Sequence, residues 1–252
     1  MGFERCAKFK TGRTIRMEKS GKKCSAIVLA AGVGKRMNSK VPKQFMELAG
    51  KPVLYYALKA FQDSFIEEIV LVTGEAEIEF CKKEIVEKYK FSKVKAVVAG
   101  GKERYHSVYE GLKAVGEAEY VFIHDGARPF VEQNMLERAY TAVEKYRACV
   151  IAVKAKDTIK IADQEGFVQT TPARSMVWQV QTPQVFEFQE IKKAHELVMQ
   201  RTDIVITDDA MVYEAAFGKP IKLVEGSYEN IKLTTPEDME IARIFLKKRI
   251  HD

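Results

Sequence analysis

The stretch AIVLAAGVGKRM, residues 26–37, sets two glycines and two cations directly after an apolar run. Gly32 and Gly34 permit positive φ and close approach of a ligand to the backbone, while Lys35 and Arg36 add positive charge, so the loop is suited to an anion. Neither common nucleotide loop fits. A dinucleotide fingerprint needs glycine where Met37 stands and an acid near Pro52, and a Walker A loop needs four residues between its glycines and Ser or Thr after its lysine. A plain strand-end turn stays open as the alternative. In VPKQF, Pro42 gives a rigid entry that can hold the Lys43 ammonium at a fixed point. Alone it reads as a solvated lysine; beside Arg36 on one sheet edge it suggests a triphosphate clamp. HDGARPF ends another apolar run with Asp125, which can offer oxygen to Mg²⁺ while phosphates and waters complete the shell, or serve as a capping or turn residue. His124 is expected to be packed and hydrogen-bonded, since no nucleophilic Ser or Cys is indicated beside it.

The elements that position these residues alternate. Ala26–Ala31 suits a strand buried on both faces. Val53–Phe61 reads as a helix opened by Pro52, Ile69–Thr73 as a strand and Glu77–Tyr89 as an amphipathic helix. Strands at Val94–Val98, Tyr120–His124 and Cys149–Val153 are then separated by helices at Arg104–Val115 and Glu132–Tyr146. This rhythm predicts a mostly parallel, twisted α/β sheet with helices on both faces and a ligand at the carboxyl ends of its strands. It breaks over residues 154–175, where Thr158–Ile161 and Phe167–Thr170 suggest a β-hairpin turning through Asp163–Gly166, a candidate arm for a partner subunit. Helical patterns resume at Glu187–Met199, Asp208–Phe217 and Pro236–Lys248, with a strand at Ile221–Val224. Trp178 reads as sheet core.

Of 41 Lys/Arg and 35 Asp/Glu in the 252 residues, eight basic and two acidic residues fall in 1–23, leaving 33 of each in the rest. The body is thus neutral, and no nucleic-acid partner is expected. Residues 1–23 are expected to be a disordered basic extension, with Met17 a possible alternative start, and 24–252 one domain. No run approaches the roughly 20 apolar residues of a membrane span, and four scattered cysteines indicate neither a disulfide framework nor a zinc site, which predicts a soluble cytoplasmic protein.

Taken in order, AAGVGKRM, VPKQF, AGGKERYHSV, HDGARPF, KDTIK, QTPQVF, ITDDA and EGSYENIKLTTPEDM resemble the 2-C-methyl-D-erythritol 4-phosphate cytidylyltransferases of the non-mevalonate isoprenoid pathway. The resemblance runs from about Ser25 to the last helix. It implies a Rossmann-like nucleotidyltransferase fold, a homodimer through the hairpin arm, and Mg²⁺-dependent transfer of CMP from CTP with release of pyrophosphate. It further implies that Arg36 and Lys43 stabilise the transition state, that Lys232 and Arg174 hold the acceptor phosphate, and that Asp125 serves the metal. Cytosine is placed against the backbone of Ala30, Ala31, Gly101 and Lys102 with Ser107 near its edge, and the acceptor near Arg128, Thr158, Thr182 and Thr207. Many family members carry an acid where Lys102 stands, so only its main-chain contact is expected. Thr158 as a strand residue and Thr207 as a helix cap stay open alternatives. A ribitol phosphate cytidylyltransferase shares much of this clamp, and a non-catalytic nucleotide-binding protein is a third reading.

Overall fold

The computed structural model describes residues 21–32, 41–201 and 203–251. The basic extension up to Ser20, and Gly34, Lys35 and Arg36 of the first loop, therefore lie outside the described residues. In chain order the elements begin with β1 (Cys24–Ala30), the short pair β2 (Glu47–Leu48) and β3 (Lys51–Pro52), α1 (Val53–Gln62), β4 (Glu68–Thr73), α2 (Ile78–Phe80) and β5 (Val94–Ala99). Next come α3 (Arg104–Ala114), β6 (Tyr120–Asp125), α4 (Gln133–Tyr146), β7 (Ala148–Lys154), β8 (Ile161–Ala162) and β9 (Val168–Thr170). The chain ends with β10 (Trp178–Glu187), α5 (Phe188–Val198), α6 (Asp209–Phe217), β11 (Lys222–Glu225) and α7 (Pro236–His251).

Seven strands form the central sheet in the order β11-β7-β10-β6-β1-β4-β5. The pairs β1/β4, β1/β6, β4/β5 and β11/β7 are parallel. As a strand's side chains alternate between faces, Ala26, Val28 and Ala30 of β1 pack with α1 and α4, whereas Ile27 packs with α3, α5 and α6. Both faces are thus covered, which is why β1 carries no polar residue from Ala26 onward. A third cluster seats α7, through Met239 and Ala242, on Leu48, Phe130 and Leu233.

Four expectations need correction. β10 is a central strand, antiparallel to both β6 and β7, that the sequence reading left out. Its Pro183 argues against a central strand, but the register shifts between Val180 and Gln184, where a missing ladder donor is tolerated. Trp178 begins that strand half-buried with Lys154 over its ring, at the sheet's margin and not in its core. The segment expected as a helix over Glu77–Tyr89 is α-helical only at α2 and then widens into a π-helix at Cys81–Glu87 that keeps Cys81 and Ile85 buried. The hairpin is present as β8 and β9, but Thr158 precedes its first strand, and Phe167 and Val168 on it are exposed.

Candidate active site

The carboxyl ends of β1, β5 and β6 meet at one sheet edge, and side chains from distant loops fasten them. Phe45 N–H donates to Pro42 O at 2.9 Å, closing a tight turn over Lys43–Phe45. The buried Gln44 donates its side-chain amide to the Ala30 carbonyl, and Phe45 meets Phe80 edge-on at 5.2 Å. Lys43 is thereby held beside the end of β1. On the far wall Gly100 N–H donates to Thr73 O at 2.7 Å, and a Cβ at Gly100 would lie 2.6 Å from that of Ala31, so only glycine allows the approach. Gly32, by contrast, takes no positive φ, and among the described residues nothing lies within 4 Å of where its Cβ would be, so its conformational freedom is not used as expected.

Between these walls lies a cleft of about 280 Å³. It brings together Ala30, Ala31 and Gly32 with Gly101, Lys102 and Ser107, and with Lys43, Asp125 and Lys232. The Ser107 hydroxyl accepts from Gly101 N–H at 3.1 Å and donates to Glu103 O at 3.2 Å. Its observed work is therefore to shape the loop at one end of the cleft. A second cavity of about 240 Å³ is lined by Arg128, Thr182, Thr207 and Asp208, and it shares Arg104, Asp125 and Lys232 with the first. Thr158 and Arg174 line neither; Arg174 is exposed and donates to Lys156 O at 3.2 Å.

Charge is concentrated where the cavities join. Asp125 accepts from Arg104 Nε at 3.1 Å and pairs with Lys232 Nζ at 2.7 Å, one on each carboxylate oxygen. Burial would raise its carboxyl, but Arg104, Lys232 and Arg128 outweigh burial and hold it far below the ordinary carboxylate value. Arg104 also donates to Asp209 Oδ2 at 2.8 Å. Burial works against the Arg104 charge, yet the two carboxylates overcome it and raise its pKa. Asp209 itself is pushed up by burial, with Arg104 opposing. The sequence alone shows Arg104 only as the first residue of a helix and gives Asp209 and Gln44 no role. Each lies inside a motif already singled out, but its partner is remote in the chain, so no local spacing signals the pairing.

Backbone stitching orients the junction. Asn230 is fully buried and donates to Thr182 O at 2.9 Å, while its own carbonyl accepts from Arg128 Nη1 at 2.7 Å. Leu233 N–H donates to Ala127 O at 2.9 Å, which fixes Lys232 between these ties. His124 is packed and hydrogen-bonded as expected. Its Nε2 faces Arg128 O at 3.1 Å and must donate there, so Nδ1 accepts from the Thr182 hydroxyl at 2.9 Å. That hydroxyl in turn accepts from Asp125 N–H at 3.1 Å. Burial lowers the His124 pKa to about 4, so the ring is neutral near pH 7. Thr182 lines the second cavity but spends its proton inside the protein. Thr207 is exposed beside that cavity, and Asp208, not Thr207, caps α6 by accepting from Met211 N–H at 2.9 Å.

Among the described residues no group of three or more His, Cys, Asp and Glu could hold a metal, and no helix is long and apolar enough to cross a membrane. The Asp125 carboxylate in the cleft nevertheless suits Mg²⁺, which is commonly held by one or two carboxylates and substrate phosphates, and each Asp125 oxygen retains a second lone pair.

Residues 24–248 match the family model of 2-C-methyl-D-erythritol 4-phosphate cytidylyltransferase. Proteins of that name from Lachnospira eligens and Lachnoclostridium phytofermentans are 51% and 47% identical, over 88% and 90% of this chain and 99% and 97% of theirs. The crystal structure of 4-diphosphocytidyl-2C-methyl-D-erythritol synthase from Anaerococcus prevotii is 37% identical, with a TM-score of 0.79 over 90% of this chain and 97% of that one.

Proposed function

We propose a mechanism from one premise: this chain belongs to the 2-C-methyl-D-erythritol 4-phosphate cytidylyltransferase family. Its activity is transfer of CMP from CTP to methylerythritol phosphate, with release of pyrophosphate, in non-mevalonate isoprenoid synthesis. The observation that carries the mechanism is that two cavities, one walled by backbone and one by polar side chains, meet at Arg104, Asp125 and Lys232. CTP occupies the first. Its cytosine lies against Ala30, Ala31, Gly101 and the main chain of Lys102, a wall too close for a purine, in a loop shaped by Ser107. Its triphosphate reaches Gly32 and Lys43, and Gly34, Lys35 and Arg36 continue the clamp in our reading.

The acceptor phosphate occupies the second cavity, held by Lys232 and Arg128 with Thr207 at its rim. One of its oxygens attacks the α-phosphorus in line, a new P–O bond forms, the bond to the β-phosphate oxygen breaks, and pyrophosphate leaves with that electron pair. The attacking dianion is already deprotonated, so no general base is needed, and His124, neutral and hydrogen-bonded at both nitrogens, is not asked to supply one. Lys43 and Arg36 offset the charge that grows on the transferring group. Asp125 would hold Mg²⁺, which when bound neutralises phosphate charge at this point.

Thr158 and Arg174 reach the acceptor from the hairpin arm of a second copy in a homodimer. Exposed Phe167, Val168 and Met176 around the arm and the absence of Thr158 and Arg174 from the cavities of their own chain support this reading. The enzyme works in the cytoplasm on small-molecule substrates. The test is pyrophosphate release from CTP and Mg²⁺ with a panel of sugar-alcohol phosphates. Methylerythritol phosphate is expected to be turned over well above ribitol phosphate, with ATP and GTP poor donors. Preference for ribitol phosphate, or CTP binding without turnover, would overturn the assignment.

A further inference from the structure

Arg104 opens α3 with its guanidinium between two carboxylates, 21 and 105 residues away in the chain. Nε serves Asp125 at 3.1 Å and Nη2 serves Asp209 at 2.8 Å. Asp209 is wholly buried on α6, lines neither cavity, and its Oδ1 has no hydrogen-bond partner among the described residues. A buried carboxylate with so few partners is costly and adds little net stability, so its pairing with an arginine that faces both cavities points beyond packing. Guanidinium has five N–H groups, and the two carboxylates use two. The Arg104 side chain remains 24% exposed, where both cavities reach it.

We propose that Asp209 is a positioning residue that acts through Arg104. It fixes the guanidinium so that one edge holds Asp125 and the remaining N–H groups face the phosphates that meet between the two cavities. A planar fork pinned by two carboxylates presents its free donors at set angles, which a lysine on its flexible stem cannot reproduce. The ligand class is a polyphosphate or phosphate ester. The inference rests on the functional reading above and deepens it.

The test compares Arg104→Gln, Asp209→Asn and the double variant by kcat, by KM for each substrate, and by calorimetric affinity for inorganic tripolyphosphate. Asp209→Asn is expected to lower kcat/KM and tripolyphosphate affinity by roughly 10-fold and Arg104→Gln by roughly 10- to 100-fold, with the double variant no weaker than Arg104→Gln alone. A residue that acts through another has nothing left to do once that other is gone. Losses that multiply, or an Asp209→Asn variant that loses thermal stability while keeping both quantities at wild-type values, would overturn the proposal. If Arg104→Gln fails to fold because it strands the Asp209 charge, Arg104→Lys provides the second background. Adding Asp209→Asn there is expected to cost less than about twofold, and a larger further loss counts against the relay. An inactive wild type would defeat the cytidylyltransferase reading, while the tripolyphosphate comparison would still decide the relay.

Discussion

The side-chain amide of Gln44 is bonded to the carbonyl of Ala30, so the turn that carries Lys43 is fastened to the end of β1. Lys43→Ala is expected to lower turnover by roughly 100-fold or more with the fold intact, as for loss of a preorganised charge. Gln44→Leu keeps the lysine but frees its turn, and a loss of roughly 10-fold in kcat is expected. Steady-state kinetics with circular dichroism as a fold control checks both. Wild-type turnover in Gln44→Leu would show that the lysine needs no such anchor.

Acid sensitivity should arise largely from two buried histidines. Burial lowers His124 to about 4 and His195 to about 3, from 6.5. Between those values the unfolded chain binds more protons than the folded one, so this contribution to stability is full above about pH 6.5 and shrinks as pH falls toward 4 and 3. The depressed Asp125 carboxylate adds stability that is full above its unfolded value near 3.8 and fades only at lower pH. Each histidine should cost about 2 kcal/mol by pH 5 relative to pH 7. Both ring nitrogens of His195 lack hydrogen-bond partners among the described residues, so His195→Leu is expected to raise Tm and to flatten the fall in denaturation midpoint between pH 7 and 5. An unchanged slope in that variant would assign the acid sensitivity elsewhere.

The last helix braces the loop that carries Lys232. Arg249 pairs with Glu229 at 3.2 Å and with Glu132 at 2.8 Å while lying over the Phe130 ring. Arg249→Ala is expected to cost about 1 kcal/mol of stability and to raise the acceptor KM a few-fold with the CTP KM little changed, since the loop it braces through Glu229 carries Lys232, which we assign to the acceptor phosphate. Equal rises in both KM values would argue against selective bracing.

Complementation tests the arm. Lys43→Ala and Arg174→Ala chains, each inactive alone, are co-refolded in equal amounts. If Arg174 serves the partner's cleft, a mixed dimer has one site with both lesions and one with neither, so about a quarter of all sites regain activity under random pairing. Mixed dimers verified by mass spectrometry but as inactive as their parents would assign Arg174 to its own chain.

The sequence alone determined the alternation of buried strands with amphipathic helices, because periodicity and turn chemistry are local properties written over a few residues. It also pointed to Lys43 and Asp125, each in a motif whose composition departs from ordinary strand or helix, while Lys232, Ala30, Ala31 and Gly101 were implied by the family resemblance, and the structure brings all six to one cleft. Tertiary structure decided the rest. β10 could not be read around Pro183 because a register irregularity set by its neighbours β6 and β7 accommodates the missing donor. Thr182, placed near the acceptor by the family resemblance, lines the second cavity, but only the structure shows its hydroxyl bridging His124 and the Asp125 N–H. In the sequence Arg104 is only the first residue of a helix, and only the tertiary fold brings Asp209 of α6 and Asp125 of β6 to either side of it. A hydrogen bond between residues about a hundred positions apart leaves no periodic trace in the chain; it exists only once burial has removed water as the competing partner.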